Sequence, residues 1–420
     1  MTNRTGESML IVIGGGPAGY FSAIRAREMA PKRPVILLEK GSVVLRKVAI
    51  SGGGRCNVTH ACYDPSELVT HYPRGERELR GPFHAFGPNE TVAWFAERGV
   101  ALKTEPDGRM FPDTNSAKTI VNCVRRVAEL AGVEVRTGKA VTSLVKTTNG
   151  FEASLNDGSV LSADAVVIAA GGQTSGGGSG YDLAESLGHS IVPPVPSLYT
   201  FKIQDPILTD LPGVVAPHAT VKVLGAKKLT ETGPVLVTHW GLSGPAILRL
   251  SAWGARQLFE MDYKHQIAIN WCPEFSLAQI NEVLMGATRD HGKQQVRNAC
   301  PVELPKRLWQ ALVVAADIAQ ETRWAEVNKK QRTTLARRIV DCIFDVDGKT
   351  TNKEEFVTSG GVSLKEVNFK TMGSRVCEGL FFAGEVLNID GITGGFNFQS
   401  CWTTGYLAGE GMARFSAAKD

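Results

Sequence analysis

Met9-Leu10-Ile11-Val12-Ile13-Gly14-Gly15-Gly16-Pro17-Ala18-Gly19 is the stretch that decides how this chain folds. Its first five residues are apolar throughout and bounded, which suits a short strand buried on both faces of a parallel sheet. Gly14, Gly16 and Gly19 then fill the G-x-G-x-x-G pattern. The first permits a tight turn, the second lets a pyrophosphate approach the backbone, and the third lets the following helix pack close to the strand. Pro17 presets φ for the first helical turn and gives up an N–H that a helix start leaves unpaired anyway. The helix expected over 18–30 begins at Ala18 and aims its positive end at the phosphates.

Glycine-rich turns are common, so the surroundings give this one its meaning. Val35-Ile36-Leu37-Leu38-Glu39 reads as a second strand and ends in an acid placed to hold a ribose hydroxyl, with Lys40 beside it. Further on, Ser51-Gly52-Gly53-Gly54-Arg55-Cys56-Asn57 has three successive glycines, so backbone there lies against something flat or phosphorylated. Strands at 133–136 and 141–145, a hairpin over 150–160 and a buried strand at 165–169 lead to Gly171-Gly172. A second glycine-rich turn spans 176–188 and opens a helix over 181–187. Near the other end, the buried strand 379–383 runs into Gly384-Glu385, and after Gly391, Gly394 and Gly395 a last helix begins near Asn397. The last sixty or so residues are therefore expected to return to the N-terminal sheet.

The fold class expected is α/β: a Rossmann-like domain with a central parallel sheet and a β-meander, interrupted by an insert with a β-barrel-like part and a helical part. The boundaries expected are 1–192 plus 360–420 for the discontinuous nucleotide-binding domain, 193–274 for the β-rich insert and 275–359 for the helical one. Pro193, Pro194 and Pro196 mark the first junction, because prolines resist both helix and central strand. At 420 residues the chain exceeds one ordinary core, and 43% hydrophobic with 21% charged residues describes a globular protein. A net charge of +4 does not diagnose a nucleic-acid binder. The 8 cysteines include no C-x-x-C pair, so no metal site is expected and a reducing compartment is. There is no apolar run of about 18 residues and residues 1–8 are polar, so a cytoplasmic location without membrane contact is expected.

Taken in order, GGGPAG, SGGGRCN, EPDGRMFP, AAGG, THWGLSGPAIL, SGGV and GLFFAGEVLNIDGITGGFNFQ span nearly the whole chain. With these motifs it resembles the BaiN/YhiN-like family of bacterial FAD-dependent oxidoreductases, a branch of the glutathione-reductase-type flavoproteins. Two positions depart from the family: Asn388 stands where an Asp is usual, and the turn 172–180 lacks a frequent Tyr-Pro. The resemblance implies non-covalent FAD, with Gly14, Gly16, Gly19 and Glu39 on the ADP half and Gly384-Glu385 in place of the usual Gly-Asp against ribityl and pyrophosphate. It also implies Gly394, Gly395, Asn397 and Gln399 near the isoalloxazine, where a helix N-terminus stabilises the negative charge of reduced flavin. Pro17, Ala18, Lys40, Gly52, Gly53, Gly54, Arg55, Cys56, Asn57, Gly171 and Gly172 complete the expected cofactor-binding set.

Relatives of this kind act on enone- or uracil-type rings, including bile-acid derivatives and uridine in ribosomal RNA. The implied reaction is therefore reduction of an activated C=C bond, with hydride from NAD(P)H as a transient co-substrate. No second strand-GxGxxG-helix-acid unit occurs in the insert, so the nicotinamide visits the flavin face directly. The alternatives are an oxygen-dependent amine oxidase and an RNA- or protein-binding module with structural FAD. Substrate partners are a small molecule or an RNA base, with Arg323, Lys329, Lys330, Arg332, Arg337 and Arg338 on or beside one helix either meeting ribosomal RNA or, as the favoured reading, forming a plain solvated helix face.

Cys56 is the first candidate for a catalytic proton donor, since Arg55 beside it would lower its pKa; filling an apolar niche is the competing role. Arg109 is the second, as a fork for a carbonyl or anionic group of substrate, against an ordinary salt bridge. His239 and Ser243 are expected on the insert's face toward the flavin. Glutathione-reductase relatives carry a redox disulfide in the region of Cys56 and Cys62. On a helix these positions lie about 240° apart with a rise of roughly 9 Å, so no bond between them is expected.

Overall fold

The computed structural model describes residues 9–172, 180–350 and 357–417. The glycine-rich turn expected at 176–188 lies partly outside them, as does most of the 172–180 departure. The chain groups into two compact units, one of Met1–Pro196 with Lys353–Asp420 and one of Ser197–Asn352.

In the first unit, β1 (Leu10–Ile13) is buried at every position, as its unbroken apolar run requires. It sits between β2 (Val35–Glu39) and the strand Ala165–Ile168, parallel to both, with Leu10 opposite Val35 and Ala165. The sheet continues in parallel to Glu134–Thr137 on one side and Leu380–Phe382 on the other, then adds Gly373–Ser374 and Val367–Asn368 antiparallel at that edge. The expected return of the C-terminal segment is thus a strand, Leu380–Phe382, paired to the one beside β1. The meander is a separate three-stranded sheet of Val141–Thr147, Gly150–Leu155 and Val160–Ala163.

Helix α1 (Pro17–Met29) packs against the last helix, Phe396–Ala417. They approach so closely that a Cβ on Gly405 would stand 2.5 Å from the Ala18 carbonyl oxygen and one on Gly409 2.4 Å from that of Ser22. Trp402, fully buried, fills the interface beside Phe21 at 4.6 Å and donates its indole N–H to Val58 at 2.9 Å. The proline-rich stretch is itself a strand, Ile191–Ser197, paired with Val357–Val362 in a two-stranded sheet. Such a strand needs few ladder donors, which is where proline is tolerated.

The second unit is built on a six-stranded sheet in the order Phe201–Lys202, Gly241–Ser243, Thr230–Thr238, Val215–Val223, Lys264–Asn270, Cys342–Asp347. Its two edges meet: the Lys202 N–H donates to Gly348 at 2.9 Å and the Thr350 N–H to Thr200 at 3.2 Å, so the sheet curls into a nearly closed barrel. The helices Leu277–Asp290, Lys306–Val314 and Lys329–Val340 lie between the strands Lys264–Asn270 and Cys342–Asp347, with Trp309 and Trp324 stacked among them at 6.2 Å. Among the described residues no helix is long and apolar enough to cross a membrane.

Candidate functional site

The turn after β1 assigns each glycine its separate task. Gly14 has φ +114°, and a Cβ on it would lie 2.3 Å from the Ala169 carbonyl oxygen. On Gly19 a Cβ would lie 1.9 Å from the Gly14 carbonyl oxygen, so α1 could not approach the strand. Gly16, between them, has ordinary negative φ, and a Cβ there would meet nothing within 4 Å. Steric demands of the protein explain Gly14 and Gly19; Gly16 faces open space at the N-terminus of α1, where Pro17 occupies the first turn.

Glu39 stands beside this turn, but its carboxylate accepts the Gly15 N–H and the Gly41 N–H, each at 2.7 Å. It therefore fixes the turn as well as lining a small open cleft of about 70 Å³ that runs past Gly14, Leu38, Lys40, Ala140 and Val141.

The next stretch begins as a helix at Arg46 and breaks at Ser51, after which Gly52, Gly53 and Gly54 take left-handed φ of 57°, 67° and 80°. All three are exposed, and nothing lies within 4 Å of where a Cβ on Gly53 or Gly54 would be, so bare backbone is what they offer. Cys56 also has positive φ, 61°, and is 0% exposed. Burial pushes its thiol up to about 12, against a lowering hydrogen bond from Ser51. The expectation that Arg55 lowers it is corrected: the Arg55 guanidinium is turned away, donating to Glu105 at 2.6 Å and lying 4.0 Å over the Phe111 ring.

Arg109 reaches the same acid, Glu105, at 3.1 Å, and Asp107 at 2.7 Å, so the salt-bridge role weighed for it is present. The helix assumed between Cys56 and Cys62 is absent. Thr59–His60 is a strand paired with Arg109 and Met110, and both cysteines are free thiols.

From the C-terminal segment, the Gly384 N–H donates to Thr404 at 2.9 Å. Glu385 accepts from Lys47 at 2.6 Å, from the Thr358 N–H at 3.0 Å and from the Gly172 N–H at 3.4 Å. It thereby joins four stretches that are remote in sequence, with Gly171 next to them at φ +77°.

Gly395 rests on the segment that follows Gly54: a Cβ on it would be 2.5 Å from the Thr59 carbonyl oxygen and 2.9 Å from Asn57 Oδ1. Asn397 holds this loop together, accepting the Gly391 N–H and donating to the Gly391 carbonyl, both at 2.8 Å. Gln399 is fully buried instead of facing a ligand; it accepts from Thr59 at 2.5 Å and Thr91 at 3.0 Å and donates to Thr403 at 3.0 Å.

In the second unit, His239 is exposed in the turn before Gly241–Ser243, and Ser243 accepts from Thr200 at 2.9 Å. Sequence reasoning missed Arg74 and Asp390, whose ion pair braces the loop before Gly394, and His60, whose Nδ1 lies 3.0 Å from the Gly394 carbonyl. Only the acid inside an otherwise apolar loop hinted at the first.

Two observations test whether these residues suit FAD. Asn57 Oδ1 and Asn388 Oδ1 are both buried and, among the described residues, have no hydrogen-bond partner, so each has acceptor capacity that a ligand donor would satisfy. Open backbone at Gly16, at the N-terminus of α1, suits a dinucleotide phosphate, and Gly53 and Gly54 offer further bare backbone. The residues present fit the group.

The chain is similar to several known proteins. The family described as HI0933-like protein Rossmann domain matches residues 8–411. A 3-dehydro-bile acid delta(4,6)-reductase of Clostridium scindens is 30% identical over 411 residues, covering 96% of this chain and 98% of its own. A ribosomal RNA dihydrouridine synthase of Escherichia coli is also 30% identical, over 408 residues, covering 96% and 97%. Among solved structures, a 3-ketosteroid-delta4-(5alpha)-dehydrogenase of Rhodococcus jostii RHA1 superposes with TM-score 0.53 at 16% identity, covering 98% of each chain, a likeness of fold alone.

Proposed function

The chain belongs to the HI0933-like family, and from that premise we propose that it reduces a carbon–carbon double bond conjugated to a carbonyl, with uridine in ribosomal RNA as substrate. It is an FAD-dependent oxidoreductase with NAD(P)H as co-substrate. The observation that carries the reaction is chemical agreement between two relatives of equal similarity. One is named for reducing a bile-acid ring and the other for making dihydrouridine, and both names describe saturation of an activated ring double bond.

FAD, when bound, supplies the hydride relay between nicotinamide and double bond. The protein's part is to bind and orient. In this reading Gly14, Gly16 and Gly19 admit the pyrophosphate to the start of α1, Glu39 and Lys40 border the ribose, and Asn57 and Asn388 take up donors with their free oxygens. Gly394 and Gly395 keep the last helix's N-terminus close to the ring system. Arg109, half exposed, leaves Asp107 to anchor a carbonyl or phosphate oxygen of the substrate. Cys56 keeps its proton on a buried Sγ and fills space.

The RNA form of the substrate is supported by the helix Lys329–Val340. It buries Leu335, Ala336 and Ile339 and leaves Lys329, Lys330 and Arg337 exposed, with Arg323 exposed just before it. Among the described residues no carboxylate pairs with these cations or with Arg332, so they are available to phosphates, whereas Arg338 bonds to the Cys342 thiol.

Anaerobic mixing with NADH or NADPH should bleach the flavin absorbance, and an enone or uridine-containing acceptor should restore it. Failure of both nucleotides to bleach it defeats the reductase reading, and peroxide formed from an amine without nicotinamide favours an amine oxidase. A deletion strain should lose dihydrouridine from ribosomal RNA; an unchanged level removes the RNA substrate.

A further inference from the structure

The segment after the first glycine loop carries three donors that the reaction does not use. Cys62, Glu67 and His71 place a thiol sulfur, a carboxylate oxygen and an imidazole nitrogen within 4.8 Å of one another. We propose that these three residues bind a zinc-class divalent cation, with the fourth coordination position left to water.

Local structure explains the convergence. Pro65–Leu68 is a helical turn continued by the tighter turn Val69–His71, so Glu67 and His71, four residues apart, share one face. Asp64 caps the start, accepting the Ser66 N–H at 2.8 Å, and Pro65 fixes the first helical position. Cys62, 6% exposed, lies just before that cap. The His71 ring is stacked on Phe396 at 4.3 Å, which holds its orientation.

A tetrahedral zinc with bonds of about 2.0–2.3 Å wants its ligands roughly 3.3–3.8 Å apart. Closure of about 1 Å is enough, and the exposed Glu67 side chain can supply it. One sulfur, one nitrogen and one oxygen donor favour zinc over calcium or magnesium, which take oxygen alone.

On binding, the S–H bond breaks, a sulfur–metal bond forms and the proton leaves to solvent, with no change of oxidation state. The consequence falls on the loop beside the flavin: the His71 carbonyl accepts the Ile392 N–H at 2.9 Å, and its ring touches the first residue of the last helix. The cation ties segment 62–71 to that loop.

Holoprotein stripped with chelator is dialysed against zinc and its metal content measured, then studied by zinc X-ray absorption. One zinc per chain is expected, with one sulfur at about 2.3 Å and nitrogen or oxygen ligands at about 2.0 Å. No retained zinc, or a shell without sulfur, overturns the site. Cys62→Ser and His71→Asn, checked for retained FAD, should each weaken binding at least about tenfold, since loss of even an outer partner costs that much. Cys300→Ser should leave it unchanged. Equal affinity in the first two variants, or loss in the third, overturns the assignment. Should Cys62→Ser not fold, the absorption spectrum of the natural chain decides.

Discussion

Arg74 Nε donates to Asp390 Oδ1 at 2.5 Å across 316 residues of sequence, and the Asp390 side chain is 0% exposed. The guanidinium, with both its Nε and Nη2 engaged, is a two-pronged partner for a fully buried carboxylate. Arg74→Ala should therefore destabilise the first unit by about 3 kcal/mol, because it strips a buried charge of its counter-ion. Urea unfolding followed by flavin fluorescence checks this. A change below about 1 kcal/mol, the range of an exposed pair, would show that the loop 388–395 does not depend on the bond.

Gly16 and Gly19 should respond in opposite ways to the same methyl group. In Gly19→Ala the Cβ collides with the Gly14 carbonyl at 1.9 Å, so the turn and α1 are disrupted and soluble protein is lost. In Gly16→Ala it enters open space, so circular dichroism and melting stay near those of the natural chain. FAD affinity should nonetheless fall about ten- to a hundredfold, or about 1.4–2.8 kcal/mol. Undiminished affinity in Gly16→Ala would mean that the pyrophosphate does not lie there.

His265 gives the second unit a pH dependence. Burial alone lowers it from 6.5 to about 4, both ring nitrogens lack hydrogen-bond partners among the described residues, and the ring sits edge-on to Phe201 at 5.2 Å. The folded form binds its proton less readily than the unfolded chain. Its stability contribution is thus present above pH 6.5 and is lost as pH falls through about 4. Discounted for partial exposure, the loss should reach about 2 kcal/mol. Hydrogen exchange in the barrel strands between pH 7 and pH 4 measures it, and His265→Phe should flatten the acid limb.

Cys56 should behave as a packing residue. A thiol with a pKa of about 12 and no exposure reacts slowly with iodoacetamide near pH 8. Cys56→Ala should leave the pH profile of kcat/KM in place while costing about 1–2 kcal/mol of stability. Disappearance of an ionisation from that profile would return Cys56 to the role of proton donor.

How much could be read from the chain alone depended on the range of the forces involved. β1, its glycines and β2 were legible because a buried strand, a tight turn and a helix start each impose demands on neighbouring residues, and Gly14, Gly16 and Gly19 meet those demands locally. The returning strand at 380–382 was legible for the same reason: an apolar run closed by Gly384.

Side-chain direction was not. Asn397 and Gln399 lie two residues apart on one helix, so they point to different faces; one laces a loop and the other disappears into a hydroxyl network with Thr59, Thr91 and Thr403. Arg55 was assigned to its neighbour Cys56, yet the left-handed backbone at Cys56 separates the two side chains and Glu105 captures the guanidinium. The pairing of Arg74 with Asp390 leaves no periodic trace at all, since a single contact over such a separation imposes no pattern on either neighbourhood.

The seam of the barrel bears on how such a chain can diversify. Thr200 and Thr350 are joined at 3.2 Å, so the segment 200–350 begins and ends at adjacent points. A cassette with touching ends can be lengthened, trimmed or exchanged for another without rethreading the strands that flank β1. New substrates can then be sampled through cassette replacement while the nucleotide scaffold is inherited whole.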